Sequence, residues 1–130
     1  VLIREGRLLG YHLWLLRLSL ATYKMKRVLR VRKVVSAVVW AFRGMTAGSG
    51  FATSEMRLVM INPVEKALMV HPSVTPTLFV DDLSSEKEGT NDEIVVELGS
   101  FNDLVAKRIH EDGMEVSQAK SVVSASSPSL

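Results

Sequence analysis

Two adjacent carboxylates follow an apolar run in TPTLFVDDLSSE, residues 75–86, and the nearest Lys or Arg along the chain is Lys87. A single Asp is explained by a turn, because its side chain can hydrogen-bond its own backbone and so close a hairpin. Asp81 and Asp82 together repel each other unless a positive group, such as a metal ion, neutralises both. The segment therefore predicts a hairpin whose tip is either an ordinary Asp-Asp turn or a cation site.

Six cationic residues are concentrated between positions 24 and 33, where they are interleaved with apolar residues. Such alternation is typical of a strand with one solvated face, and it predicts a hairpin with its turn near Arg32 and Lys33. These side chains can contact the phosphates of a nucleic acid, or they can simply form a soluble surface. They are Lys24, Lys26, Arg27, Arg30, Arg32 and Lys33.

Charge is divided unevenly along the chain. Residues 1–43 contain ten Lys or Arg and one acid, a net charge of +9, whereas residues 44–130 contain six Lys or Arg and thirteen acids, a net charge of −7. A basic stretch of this density is typical of proteins that bind a polyanion, either a nucleic acid or an anionic lipid surface.

Composition limits the class of protein. The chain has 130 residues, of which 47% are hydrophobic, so we expect one globular unit with a buried core. Because there is no Cys, disulfides, thiolate metal sites and Cys nucleophiles are excluded, and an intracellular location is the simpler expectation. The three His, at positions 12, 71 and 110, do not have the spacing of a zinc site.

The apolar runs near the N-terminus are too short for a membrane span. His12 and Arg17 interrupt the run at residues 8–21, and the run at residues 34–42 has nine residues. A span needs about 20 apolar residues. No small-residue cleavage site follows the first run, which argues against a signal peptide. We therefore expect no membrane partner.

Hydrophobic periodicity predicts the elements of the first half of the chain. Residues 7–23 have a helical stripe of apolar side chains, and Trp14 and Trp40 are expected in the core. A glycine-rich loop at residues 43–53 opens a second helix, which should kink or restart at Pro63 because proline removes a backbone donor. The predicted stripe of the first helix consists of Leu8, Tyr11, Leu15, Leu18 and Thr22, widened by Leu16 and Leu20.

In the second half, residues 75–86 are expected to form the hairpin, and a helix capped by Thr90 or Asn91 follows it. Gly113 is expected to end this helix. Two short strands are predicted near residues 114–116 and 121–125. The apolar stripe of the helix consists of Ile94, Leu98, Phe101, Val105 and Ile109.

Three motifs, in this order, resemble those of the palm domain of reverse transcriptases, the RNA-directed DNA polymerases of retroelements. Residues 43–49, RGMTAGS, stand where the family has a motif such as Arg-Gly-Val-Pro-Gln-Gly-Ser. Residues 79–82, FVDD, stand where it has an aromatic or small residue followed by Asp-Asp. Residues 113–121, GMEVSQAKS, are similar to its motif Gly-Leu-x-Leu-x-x-x-Lys-Thr.

The resemblance implies an α+β fold with a palm-like antiparallel sheet and helices packed on one face. This domain would cover residues 1–126, followed by a frayed tail at residues 127–130. The activity implied is template-directed nucleotidyl transfer by two Mg²⁺ (or Mn²⁺) ions, with Asp81 as the main ligand and Asp82 as the lesser one. The implied partners are an RNA template, a DNA primer and deoxynucleoside triphosphates. Nucleotide or template contacts would come from Ala47, Gly48, Ser49, Phe79 and Lys120.

The chain departs from the family at two points. Ala47 replaces the usual Gln, which removes whatever contact that side chain makes in relatives. Glu5 is the only acid before Glu55, so the strand with the family's first catalytic Asp is expected upstream, in a longer polyprotein. The domain is then incomplete at its N-terminus and is expected to be inactive alone. Two other functions stay open: a non-catalytic nucleic-acid-binding module that uses residues 24–33, and a peripheral membrane protein.

Overall fold

The structure of the chain, a computed structural model, describes residues 1–40, 45 and 49–126. These residues form four α-helices, two antiparallel sheets of two strands each and one 3₁₀ helix, so the predicted α+β class is confirmed. The chain divides into two compact units, Val1–Leu58 and Val59–Leu130. In chain order the elements are α1 (Leu2–Leu8), α2 (Leu13–Tyr23), β1 (Arg30–Val31), β2 (Val34–Val35), α3 (Ala52–Val70), β3 (Thr75–Phe79), β4 (Asp82–Glu86), α4 (Asn91–Glu111) and the 3₁₀ helix Gln118–Lys120.

In the first unit, the single helix predicted at residues 7–23 is wrong, because two helices occupy this region. Helix α1 ends at Leu8, α2 begins at Leu13, and Gly10 between them has a φ of 71°. Glycine adopts this left-handed conformation without the penalty that a Cβ would bring. The turn at Gly10 therefore interrupts a run that looks helical throughout in the sequence.

The buried face of α2 matches the predicted stripe only in part. Leu16 and Leu20, which widen that stripe, are buried and half-buried, whereas Leu15 and Leu18 are exposed. The turn at the start of α2 resets the helical phase, so a stripe counted from Leu8 does not follow the buried face of α2. Helix α1 contacts α2, and a Cβ on Gly6 would lie 2.7 Å from Leu16 Cδ2.

The hairpin predicted after α2 is present. Strand β1 pairs antiparallel with β2, and the two-residue turn between them consists of Arg32 and Lys33, as predicted. A bridge between Arg27 and Val39 extends the ladder beyond the named strands. Both strands are exposed on both faces.

The two tryptophans are not in the core as predicted. Trp14 on α2 has 79% of its surface exposed, and Trp40 beside the hairpin has 49%. Small and medium side chains such as Ser19 and Leu16 fill the buried face of α2 instead.

Helix α3 continues through Pro63 and does not restart there, so of the two predicted outcomes the restart does not occur. Glu55, Val59, Pro63 and Ala67 follow one another at a spacing of four residues and are all buried. They form a continuous inner face, and burial of that face offsets the backbone hydrogen bond that proline removes.

In the second unit, β3 and β4 form the predicted hairpin, and β4 contacts α4. Thr90 caps helix α4 with a complete capping box, in which the Thr90 hydroxyl accepts from the Glu93 backbone N–H and the Glu93 carboxylate accepts from the Thr90 backbone N–H. Three residues of its predicted stripe are buried, and Gly113, with a φ of 82°, follows its end. The buried residues are Phe101, Val105 and Ile109.

The two strands predicted after α4 are wrong. Residues 114–117 and 121–126 are assigned to no helix or strand, and the 3₁₀ helix lies between them. The side chains from Glu115 to Ser126 are exposed, so this segment lacks the half-buried face that a paired strand requires. Across the described ranges, every helix is shorter or more polar than a membrane-spanning helix must be.

Candidate functional site

The tip of the β3–β4 hairpin is a two-residue turn made by Val80 and Asp81, because Phe79 and Asp82 are the last paired residues. Val80 has a φ of 58°, a left-handed conformation that is strained for a β-branched residue. Asp81 does not share the positive φ, so the turn resembles the type II′ turns that close tight hairpins. The structure therefore holds Asp81 at the tip, as the sequence predicts.

The two faces of this hairpin differ in exposure. Leu78 and Leu83 are half-buried on one face. On the same face, the Ser85 hydroxyl donates to Asn102 Oδ1 of α4 at 2.8 Å. The opposite face is open, and there Phe79, with 75% of its surface exposed, is paired with Asp82. The hairpin thus presents an aromatic ring and a carboxylate side by side, next to the acid at the tip.

The two acids supply only part of a metal site. Asp81 and Asp82 are both exposed, and neither forms an ion pair within the described part of the chain. No group of three His, Asp or Glu side chains in residues 1–40 and 49–126 is placed to hold a metal ion. Two carboxylates nevertheless fit Mg²⁺, which commonly takes one or two carboxylates and completes its shell with water and substrate phosphates.

The other site residues that the resemblance implies lie in different parts of the chain. Ala47 and Gly48 lie outside the described residues. Ser49 precedes α3, where its hydroxyl accepts from the Phe51 backbone N–H at 3.3 Å and its carbonyl accepts from Ala52. Lys120 is exposed and is the last residue of the 3₁₀ helix. Ser49 therefore has a local structural role at a helix start.

The basic hairpin presents most of its cations to solvent. Arg27 is half-buried and donates to the Tyr23 carbonyl at 3.4 Å, and Arg30 donates to the Arg32 carbonyl at 3.2 Å. Arg32 at the turn has a φ of 55°. The fully exposed cations are Lys24, Lys26, Arg30, Arg32 and Lys33.

One contact in this region was missed by the sequence reasoning. The Lys26 Nζ lies 5.3 Å from the centre of the Trp40 ring, within the range of a cation–π interaction. The residues are fourteen positions apart, and only the register of the hairpin brings them together. The alternation of residues 24–33 with a following Val-rich segment is the signal that could have suggested the pairing.

A second missed feature is a buried carboxylate. Glu55 is fully buried, and its Oε2 accepts a hydrogen bond from the Tyr23 hydroxyl, which links α3 to α2. Its Oε1 and the buried Ser19 hydroxyl have no hydrogen-bond partner among the described residues. Glu55 precedes Val59 and Pro63 at a spacing of four residues, so it lies on the apolar face of α3. This spacing could have predicted its burial from the sequence.

Comparison with known proteins gives no match of significance to this chain among family models, curated proteins or solved structures.

Proposed function

We propose that the chain is a fragment of an RNA-directed DNA polymerase whose Asp81 and Asp82 hold a divalent cation for template-directed nucleotidyl transfer. The observation that carries this proposal is the tight turn that places Asp81 at a hairpin tip, with Asp82 next to it on the open face. The strained Val80 supports it, because strain of this kind is retained most often where function requires a fixed geometry.

The residues of the hairpin have separate tasks in this proposal. Asp81 on the turn and Asp82 at the start of β4 provide carboxylate oxygens, and the exposed ring of Phe79 provides a flat surface beside them. A bound Mg²⁺ would orient the triphosphate and lower the cost of the charge that develops during transfer. In this proposal the hairpin belongs to a palm-like sheet, and a carboxylate from another strand completes the catalytic set.

Primer extension on an RNA template tests this function. The chain alone is expected not to extend a DNA primer, because two carboxylates on one hairpin cannot align both the primer hydroxyl and the triphosphate. Adding in trans a polymerase segment that carries the family's first catalytic Asp should give Mg²⁺-dependent extension. Asp81→Asn should abolish it, whereas Glu86→Gln, on the same face at the other end of β4, should not. Extension that survives Asp81→Asn would contradict the assignment.

The basic hairpin supports a second function, which is binding of nucleic acid without catalysis. Five exposed cations surround a turn made of Arg32 and Lys33, and residues 24–40 contain no acid. Each phosphate neutralised steepens the salt dependence of binding, with a change in log–log slope of about 0.7 to 0.9. This second function does not need a metal ion.

Salt titrations of nucleic-acid binding distinguish this function. Replacing Arg30, Arg32 and Lys33 by Gln should weaken binding and reduce the slope by about 2 to 3 if each contacts one phosphate. The matched control replaces Arg57, Lys66 and Lys107 by Gln, which are exposed cations of helices. Equal affinity and slope in the wild type and the hairpin variant would show that the hairpin is not the contact surface.

A further inference from the structure

We propose that one face of the basic hairpin is a binding site for single-stranded nucleic acid, in which Trp40 stacks on a base while Lys26 and Arg30 contact the flanking phosphates. This inference rests on the second proposed function and specifies its ligand. It does not depend on the Asp81–Asp82 hairpin.

The register of the basic hairpin determines which residue lies opposite Trp40. Next to the turn, Arg30 is paired with Val35, whereas farther out Arg27 is bridged to Val39. Arg27 and Arg30 are three positions apart on the first side of the hairpin, whereas Val35 and Val39 are four positions apart on the second side. The second side therefore contains one extra residue between the two pairs. An insertion of this kind is a β-bulge, and it shifts the partner of every residue beyond it. Trp40 consequently lies opposite Lys26.

Lys26, Arg30 and Trp40 share one face of the basic hairpin. Alternate residues of a strand project to the same side, so Lys26 and Arg30 are on one face, and Trp40 joins them as the cross-strand partner of Lys26. The distance of 5.3 Å between Lys26 Nζ and the centre of the Trp40 ring agrees with this placement. Lys26 and Arg30 are four residues apart, a separation of about 13 Å if the chain between them is extended.

The exposure and charge of this face favour a single-stranded nucleic acid as its ligand. Trp40 has 49% of its surface exposed, although an indole of this size is usually a main source of buried apolar area. The same segment has six cations and no acid, which makes its charge complementary to a phosphate backbone. An exposed aromatic ring beside a row of cations is an arrangement that proteins use to bind single strands, since every base offers a face for stacking.

A duplex is a poorer ligand for the same face. Its bases are paired and stacked on each other, so none presents a free face to Trp40, and only the phosphate contacts of Lys26 and Arg30 remain. We therefore expect preference for single strands and little preference among sequences, because stacking and phosphate contacts do not read base edges.

Trp40 fluorescence tests this inference directly. In the Trp14→Phe variant of the full chain, Trp40 is the only indole, and an oligothymidylate of about 12 nucleotides, within the usual range of site sizes, should quench its emission. In the Trp40→Phe variant, Trp14 on α2 is the only indole, and its emission should not change. Quenching confined to Trp14, or in neither variant despite binding, would overturn the stacking role.

Affinity measurements provide the second test. Trp40→Ala should weaken binding of the oligothymidylate by roughly 5- to 150-fold, and Trp40→Tyr should restore most of the affinity. Trp14→Ala, the control, should have no effect. Binding of a duplex of the same length should be weaker and should not change in Trp40→Ala. If the duplex binds as tightly as the single strand and Trp40→Ala does not change the affinity, the stacking inference is wrong, but the hairpin still binds nucleic acid.

These measurements also distinguish failure of the stacking inference from failure of the proposed nucleic-acid binding by the basic hairpin. If neither the single strand nor the duplex binds at low salt, the nucleic-acid function of the hairpin itself is wrong. An anionic phospholipid vesicle serves as the competing ligand. Trp40-dependent binding to vesicles without binding to the oligothymidylate would assign this face to a lipid surface instead and would overturn the inference.

Discussion

Val80 occupies a backbone conformation that few side chains tolerate. Its φ of 58° places it in the left-handed region, where a non-Gly residue costs about 1–3 kcal/mol. The two strands that leave the turn hold it there, since Phe79 and Asp82 are paired directly beside it. A chain without a functional demand on this turn could use Gly at this position, which is the usual first residue of a type II′ turn.

We predict that Val80→Gly is more stable than Val80→Ala by about 1 kcal/mol, because Gly relieves the positive φ and Ala does not. Both variants remove the branched side chain, so the comparison isolates the backbone. At the exposed strand residue Ser84, the order should be reversed, with Ala more stable than Gly. Urea unfolding of the four variants measures this, and the same order at both positions would show that Val80 is not strained.

Tyr23 and Glu55 form the other residue-scale feature. The carboxylate is fully buried, and the Tyr23 hydroxyl donates to one of its oxygens. Removing one partner of a buried hydrogen bond leaves the other group unsatisfied, which costs about 1–3 kcal/mol. This pair therefore fixes the start of α3 against the end of α2.

Tyr23→Phe should lower the free energy of unfolding by about 1–3 kcal/mol, because it leaves a buried oxygen of Glu55 unsatisfied. In the background of Glu55→Leu, which removes the carboxylate, the same substitution should cost little. A double-mutant cycle by urea denaturation measures the coupling between the two side chains. Additive effects of Tyr23→Phe and Glu55→Leu would mean that the hydrogen bond contributes nothing to stability.

At the scale of elements, local signals account for the parts of the fold that the sequence predicted correctly. The β3–β4 hairpin and α4 have their turn acids, cap and apolar stripe within a few residues of one another. The break at Gly10 was missed because an apolar run covers it, and the strands predicted after Gly113 were wrong because nothing there is buried. Trp40 and Glu55 depend on register and on contacts between distant segments, which periodicity does not reveal.

Helix α4 offers a prediction on pH. Its capping box lowers the pKa of Glu93, first through the backbone N–H of Thr90, then through the Thr90 hydroxyl, and to a smaller extent through the charge of Lys87. Glu93 is exposed, and its small loss of hydration raises the pKa without reversing the net direction. A lowered pKa in the folded state means that the stabilisation is present above the ordinary pKa of Glu and is lost as the pH falls through the lowered value.

We expect Thr90→Ala to destabilise the protein by about 1 kcal/mol at neutral pH, the usual cost of losing an N-cap. Glu93→Gln should also destabilise it at neutral pH, and the difference from the wild type should disappear as the carboxyl is protonated in acid. Thermal unfolding from pH 7 to pH 3 follows this change. A difference that is constant across this range would show that the charge of Glu93 does not support the cap.

At the scale of the whole molecule, the two compact units have opposite charges. Val1–Leu58 has eleven Lys or Arg and two acids, a net charge of +9, whereas Val59–Leu130 has five Lys or Arg and twelve acids, a net charge of −7. The proposed phosphate contacts belong to the basic unit, and the proposed cation site belongs to the acidic one. An acidic unit approaches a phosphate only with a cation between them, which is the task assigned to Asp81 and Asp82.

The central claim is that Asp81 and Asp82 together bind a divalent cation, and a titration of Mn²⁺ followed by NMR tests it most directly. The amide signals of residues 79–83 should broaden first in the wild type and in the control Glu86→Gln, which removes an acid from the same face of β4. In Asp81→Asn the same signals should broaden much less at equal Mn²⁺. Equal broadening in the wild type and Asp81→Asn would contradict the account.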